Sequence, residues 1–139
     1  MKHKGSNFEY YEELCLNLFY AFRKAFAVNN HHVYEETVML PSPRFWVSSS
    51  RAAIVIREML RGRSVDDMQP CKRDMYKEIH KRVVRAIEDG DERSVTEIVE
   101  DVVCQPAPHF YVTPGTAREK IKQGRRLWRE KNPLFVPKR

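Results

Sequence analysis

The residues of this chain that could do chemistry begin with a cluster of histidine and glutamate. His31 and His32 precede Glu35 and Glu36 by four residues, so a helix through them would pair each histidine with a glutamate. A metal site needs three or four convergent ligands, which these two pairs would supply only with help from elsewhere in the chain. The spacing also differs from the H-E-x-x-H arrangement of metalloproteases. We assign the cluster to solvated ion pairs or helix capping and expect no bound metal.

The cysteines give no sign of covalent chemistry. Cys15, Cys71 and Cys104 lie far apart without C-x-x-C spacing, so neither a disulfide framework nor a zinc site is expected. A nucleophilic cysteine would also need a neighbouring base, and the sequence identifies none. The five glycines form no phosphate-binding loop. We therefore expect a protein that is not an enzyme and that uses no cofactor.

Basic residues are the strongest functional signal, because they are concentrated near the end of the chain. The 139 residues carry a formal net charge of +6. Residues 115–139 contain nine Lys or Arg and two Glu, a net charge of +7, so the rest of the chain sums to −1. Like charge at this density repels itself and persists more readily where a polyanion neutralises it. Residues 74–101, by contrast, form an acidic stretch.

Four of these cations form one stripe on a predicted helix. They follow the spacing i, i+4, i+7 and i+11: Arg118, Lys122, Arg125 and Arg129. A cationic stripe on one helix face can follow a phosphate backbone or enter a major groove. The full predicted nucleic-acid site adds neighbouring cations and a smaller cluster in the first half of the chain: Arg118, Lys120, Lys122, Arg125, Arg126, Arg129, Arg57, Arg61 and Arg63.

An internal repeat indicates which elements position these residues. One gap-free offset of 65 residues aligns the chain from about residue 8 to residue 126, most clearly where LPSPRFWVS at 40–48 matches QPAPHFYVT at 105–113. Each copy reads as an amphipathic first helix, a short second helix and a third helix after the Pro-x-Pro segment. The second helices are expected at residues 29–39 and 94–104, and the third at residues 49–61 and 114–131.

Several helix ends carry recognisable capping residues. Ser94 with Glu97 three residues later fits a capping box, and Thr113 before a proline fits a helix start. Gly90 suits the end of the first helix in the second copy. Gly124 lies inside the last helix and would weaken it by about 1 kcal/mol relative to alanine, so a bend is expected there.

Apolar residues predict the core. The expected buried face of the first helix contains Phe8, Tyr11, Leu14, Cys15, Leu18, Phe19, Phe22, Ala25 and Phe26. In the Pro-x-Pro segments we expect Phe45 and Phe110 to be buried. Neighbouring residues of an extended chain alternate sides, so Trp46 and Tyr111 point the opposite way. We expect them to pack as well, with a contact to a partner as the alternative for one of each pair.

These patterns predict an all-α fold of two tandem three-helix repeats packed as a pseudo-twofold helical bundle. We divide the chain into a first repeat at residues 1–63, a linker at 64–72, a second repeat at 73–131 and a basic tail at 132–139. No apolar run approaches the roughly 18 residues that span a bilayer, and the N-terminus lacks the apolar core of a signal peptide. We expect a cytoplasmic protein with no membrane partner.

The two Pro-x-Pro regions also carry a resemblance. R-F-W-V-S-x-x-R-A-A-I-V-I followed by Q-P-A-P-x-F-Y-V-T-P-G-x-A resembles a group of short, uncharacterised basic proteins of bacterial prophages and mobile genetic elements, over about residues 8–128. The resemblance implies a setting in which small DNA-binding and packaging accessory proteins are common. It assigns no role to any residue.

The function that we predict is non-enzymatic binding of nucleic acid, with duplex DNA as the expected partner. The basic C-terminal helix would contact phosphates and release counterions, with little readout of bases. A helix-turn-helix is disfavoured, because roughly nine residues separate the second and third helices where that motif has three or four. The alternative is a protein-binding adaptor or an oligomeric assembly component. Its basic helix would dock on an acidic partner, such as residues 74–101 of another copy.

Overall fold

The computed structural model describes residues 5–28 and 31–133, and the fold of this part of the chain is all-α, as predicted. Its six helices are α1 (Gly5–Val28), α2 (Val33–Val38), α3 (Ser49–Leu60), α4 (Pro70–Glu88), α5 (Val95–Val103) and α6 (Pro114–Lys131). The side chain of Phe8, residues 29–30 of the predicted second helix and residues 134–139 of the predicted tail lie outside the described residues.

The helix ends follow the predicted capping residues. The Ser94 hydroxyl accepts a hydrogen bond from the Glu97 N–H (3.2 Å), and the Glu97 carboxylate accepts one from the Ser94 N–H (3.0 Å), so the capping box is confirmed. The Thr113 hydroxyl caps α6 and the Ser48 hydroxyl caps α3 in the same way, with bonds of 3.2 and 3.1 Å. Gly90 follows α4 with a φ of +96°. Glycine adopts this left-handed conformation without strain, which explains why α4 ends there.

Contacts between helices divide the chain into two compact units. The terminal unit joins the described parts of Met1–Leu40 and Val112–Arg139, and therefore contains α1, α2 and α6. The central unit is Pro41–Tyr111 and contains α3, α4 and α5. Each unit takes two helices from one predicted repeat and the third helix from the other. The predicted boundaries at residues 1–63 and 73–131 therefore do not coincide with the compact units.

In the terminal unit, α1 and α6 run side by side in the same direction. Near the start of the contact, the Lys120 ammonium lies 4.5 Å from the ring centroid of Tyr11. Further along, the rings of Phe19 and Trp128 lie 6.3 Å apart. Residue numbers increase together along both helices, which shows the parallel packing.

Gly124 sets how closely these two helices approach. A β-carbon at this position would lie 2.1 Å from the carbonyl oxygen of Cys15 and 2.8 Å from the β-carbon of Phe19. Any side chain at Gly124 would therefore push α6 away from α1. The glycine that sequence reasoning treated as a weak point of the helix is the residue that permits its tertiary contact, and α6 continues through it to Lys131.

The buried face of α1 agrees with the prediction except near its ends. Cys15 and Leu18 are fully buried, whereas Phe26 is 52% exposed and Tyr11 is 41% exposed. The contact of this end of α1 with α2 is made by Phe22, whose ring stacks on that of Tyr34 with the centroids 5.6 Å apart. Phe26 in turn stacks on Phe22 at 5.7 Å. Phe22 thus occupies the contact with α2, and Phe26 remains largely in solvent.

The two Pro-x-Pro segments meet within the central unit. Ser42 and Ala107 form an antiparallel bridge in which each N–H donates to the other residue's carbonyl, at 3.0 and 2.8 Å. The Phe45 N–H donates to the Val103 carbonyl at 2.9 Å, which holds the first segment against α5. Phe45 and Phe110 are both buried, as predicted.

The second aromatic residue of each segment is half-buried. The Trp46 indole N–H donates to the Ser42 hydroxyl at 2.8 Å. Tyr111 stacks on the ring of Phe45, with centroids 6.0 Å apart. This contact holds Tyr111 against the core, and burial raises the pKa of its hydroxyl to about 12.

The segment predicted as a linker at residues 64–72 contributes to the central core. Val65 is 2% exposed and packs among the buried residues of α3, α4 and α5. Helix α4 begins at Pro70, with Gln69 as its N-cap residue, so the last residues of the predicted linker are helical. The sequence did not indicate this burial, because one apolar residue between polar ones carries too little pattern.

The contact at Gly124 generates a stability prediction. Gly124→Ala should lower the free energy of unfolding by about 2 kcal/mol, because overpacking outweighs the gain of about 1 kcal/mol in helix propensity. Gly115→Ala is the matched control in the same helix, since a β-carbon there would meet no atom within 4 Å. Chemical denaturation followed by circular dichroism measures both variants. Equal stability of the two variants would show that the close helix approach is wrong.

Candidate nucleic-acid interface

The predicted cationic stripe lies on the solvent side of α6. All four of its members are exposed: Arg118, Lys122, Arg125 and Arg129. Ala117 and Ile121 of the same helix are buried. The i, i+4, i+7, i+11 spacing therefore separates a charged face from a packed face, as an amphipathic helix requires.

The positive charge of this stripe has little internal compensation. Of the α6 cations, within the part of the chain that the structure describes, Lys122 alone has a carboxylate within 4.0 Å, that of Glu119 at 3.9 Å. Both partners are well exposed, and such surface pairs contribute little. The guanidinium groups of the stripe are therefore available to an external anion.

Two other predicted cations of α6 differ in their surroundings. Lys120 is half-buried, and its ammonium lies 4.5 Å from the ring centroid of Tyr11, a cation–π distance. Arg126 is exposed. Lys120 therefore contributes to the contact between α1 and α6, while Arg126 adds to the exposed charge.

Helix α1 adds a cation that sequence reasoning missed. The Arg23 guanidinium lies 5.7 Å from the ring centroids of both Phe19 and Trp128. The Arg125 guanidinium of α6 lies 5.9 Å from the same Phe19 ring. Arg23 is about 100 residues from the stripe in sequence, so no local pattern could have found it. We call Arg23, Arg118, Lys122, Arg125, Arg126 and Arg129 the basic surface.

The predicted cations in and just after α3 belong to the central unit. Arg57, Arg61 and Arg63 are all exposed. The Arg57 guanidinium donates to the Thr96 hydroxyl, and Arg63 forms an ion pair with Glu58. Two of the three predicted residues therefore have partners inside their own unit.

The central unit also contains cations that are balanced by carboxylates. An open groove of about 360 Å³ next to α4 and α5 is lined by Arg82 and Arg93 among other residues. The Arg82 guanidinium donates to the Glu78 carboxylate at 2.9 Å. Arg93 donates to Asp91 at 2.7 Å and lies 3.6 Å from Asp101. The charge of this groove is therefore largely satisfied within the fold.

The pKa values of the carboxylates bonded to these two arginines reflect this pairing. Partial burial would raise the pKa of Glu78, but hydrogen bonds from Arg82 and Lys81 lower it overall. Side-chain and backbone hydrogen bonds from Arg93 lower the pKa of Asp91 to about 2. These carboxylates are held in the charged state by neighbours in their own unit.

The histidine and glutamate cluster is arranged differently from the prediction. Helix α2 begins at Val33, after His32, which has a left-handed φ of 52°. His31 and His32 therefore precede the helix, and His32 is its N-cap residue without a capping hydrogen bond from its side chain. Across residues 5–28 and 31–133, no three His, Cys, Asp or Glu side chains are placed to hold a metal ion.

The cysteines differ in exposure. Cys15 is buried beneath α6, and this burial raises the pKa of its thiol, which disfavours the reactive thiolate. Cys71 is half-buried and Cys104 is exposed. In the described structure the basic surface, and not these thiols, therefore remains the candidate site.

Comparison with known proteins finds no relative: no protein-family model, no curated protein and no solved structure matches the chain. Among the described helices, none has the length and apolar character that crossing a membrane requires. The proposed function therefore rests on the basic surface.

The Asp91 and Arg93 pair generates a pH prediction. Because the pKa of Asp91 falls from 3.8 to about 2 on folding, its charge stabilises the folded state above about pH 4. That contribution is lost as the pH falls towards 2. The thermal midpoint of Asp91→Asn should lie below that of the wild type at pH 6, and the difference should shrink by pH 2.

The control for this pH prediction is Asp67→Asn. Asp67 is an exposed carboxylate with no ion-pair partner in the described part of the chain. Circular dichroism melts across the pH range compare the three proteins. If Asp91→Asn and Asp67→Asn show the same pH dependence, the role of the Asp91 pair is refuted.

Proposed function

We propose that this protein binds nucleic acid without catalysing a reaction, through the basic surface on α6 and α1. The observation that carries the proposal is the stripe of exposed cations, in which Lys122 alone has a carboxylate within 4.0 Å among the described residues. Arg118 and Arg129, at its two ends, have no ion-pair partner among the described residues. A surface of this kind is suited to a ligand that brings its own closely spaced negative charges.

The length of the stripe suits a phosphate backbone. From Arg118 to Arg129 the helix rises by about 16 Å, at 1.5 Å per residue. Cations distributed over this distance can contact several successive phosphates. Each contact releases condensed counterions, so the affinity falls steeply with salt and depends little on sequence.

The pairing of carboxylates in the central unit supports nucleic acid over the adaptor alternative. That alternative has α6 dock on an acidic surface such as residues 74–101 of another copy. Glu78 and Asp91, within that segment, are already bonded to Arg82 and Arg93. Docking α6 there would have to compete with these internal pairs.

We also propose that α1–α3 and α4–α6 are two copies of one three-helix unit with exchanged third helices. Ser42 and Ala107 are equivalent at the 65-residue offset, and their reciprocal hydrogen bonds fit that equivalence. Ser48 and Thr113, also equivalent, cap α3 and α6 alike. In this arrangement the second copy's third helix makes the main nucleic-acid contact, and α3 plays a lesser part.

The same proposal includes the cellular setting that the sequence suggested. The protein would act in the cytoplasm, and the resemblance to prophage and mobile-element proteins implies an accessory role there. Duplex DNA is the first partner to test.

The proposal predicts the behaviour of a charge-reversed variant. Arg118→Glu with Arg129→Glu should weaken binding to a fluorescein-labelled duplex by about tenfold or more at low salt. The slope of log affinity against log salt should fall by about 2, one for each lost phosphate contact. Fluorescence anisotropy over a salt series measures both quantities.

The matched control for charge reversal is Lys72→Glu with Arg85→Glu. Both residues are exposed on α4, and the change in net charge is identical. This control should lose less affinity and keep more of the salt slope. Equal losses in the two double variants would mean that net charge, not the basic surface, drives binding. Binding of an acidic protein by the wild type, with no binding of DNA, would favour the adaptor.

A further inference from the structure

We infer that the basic surface prefers single-stranded nucleic acid, because aromatic rings that can stack with unpaired bases lie among its cations. The inference rests on the proposed function and specifies its substrate class. Phosphate contacts alone do not distinguish a single strand from a duplex by chemistry, whereas base stacking does.

The aromatic residues form a cluster around Phe19. The ring of Phe19 is buried, and the rings of Tyr20 and Trp128 lie 6.1 and 6.3 Å from it. Tyr20 is 41% exposed and Trp128 is half-buried. Phe19 therefore supports two aromatic side chains that reach the surface, one from each helix.

Cations flank the same rings. The Arg23 guanidinium lies 5.7 Å from the ring centroids of Phe19 and Trp128, and the Arg125 guanidinium lies 5.9 Å from that of Phe19. Arg125 is a member of the stripe, so the aromatic cluster adjoins the predicted path of the phosphates. A strand that follows the stripe would bring its bases close to Tyr20 and Trp128.

Base stacking would make the affinity of this surface differ between single strands and duplexes. In a duplex both faces of each base are covered by its neighbours, so exposed aromatic rings gain nothing from it. In a single strand a base can stack on an aromatic ring or on a guanidinium plane. Such stacking changes affinity by about 5- to 150-fold per base in known single-strand binders.

The cluster also has a structural role, which the test must separate from binding. Phe19, Arg23 and Trp128 join α1 to α6, so their substitution would weaken the terminal unit. Tyr20 is the better probe because it is the most exposed ring of the cluster. Tyr20→Leu removes the ring, and Tyr20→Phe retains it as the matched control.

The experiment compares two labelled probes with the full chain at the same low salt. One is a thymidine oligonucleotide of about 20 nucleotides, and the other is a duplex of the same length. We expect the single strand to bind about tenfold more tightly. Tyr20→Leu should lose about tenfold in affinity for the single strand and keep its affinity for the duplex within about twofold. Tyr20→Phe should behave as the wild type.

Fluorescence gives a second measurement of stacking. The chain has two tryptophans, so Trp46→Phe leaves Trp128 as the single indole. Addition of the thymidine oligonucleotide should quench Trp128 fluorescence, and addition of the duplex should not.

The outcomes separate this inference from the proposed function. If both probes bind equally and Tyr20→Leu changes neither, the inference is overturned while nucleic-acid binding stands. If Tyr20→Leu weakens both probes alike and lowers the thermal midpoint, the cluster is structural and the inference is again overturned. If neither probe binds, both the inference and the proposed function fail.

Discussion

The close approach of α1 and α6 at Gly124 is the contact on which the terminal unit and its basic surface depend. A β-carbon at Gly124 would lie 2.1 Å from the Cys15 carbonyl oxygen, so only glycine allows the two backbones this near. The contact joins the last helix of the chain to the first and so defines the terminal unit. It also brings Phe19 and Arg23 of α1 beside Trp128, which creates a surface that neither helix has alone.

Charge is used differently in the two units. In the central unit, Arg82 and Arg93 bond to carboxylates of their own unit, and these bonds hold the acids in the charged state. The arginines of α6 are exposed, and none of them has a carboxylate partner in the described structure. Whether a charged side chain is paired within its own unit is thus more informative about binding than the sign and number of the charges. Unpaired charge on one helix face is what favours an external polyanion.

The aromatic and cationic contacts of the terminal unit have two consequences. Arg23 and Arg125 over Phe19 stabilise the joint between α1 and α6 through cation–π attraction. The same contacts hold the Arg23 guanidinium beside Trp128 and the Arg125 guanidinium beside Phe19. The proposed binding surface would be preorganised for a ligand, because its side chains are already ordered by packing.

Local structure was determined by the sequence itself. The ends of α5 and α6, the turn at Gly90 and the stripe on α6 all follow from hydrogen bonds and periodicities within a few residues. The pairing of helices was decided only in the tertiary structure, because similar amphipathic stripes can pack against one another in more than one combination. Each compact unit therefore combines helices from both predicted repeats. The position of Arg23 beside α6 and the role of Gly124 in the helix contact both depend on which helices pair. No pattern along the chain could therefore predict them.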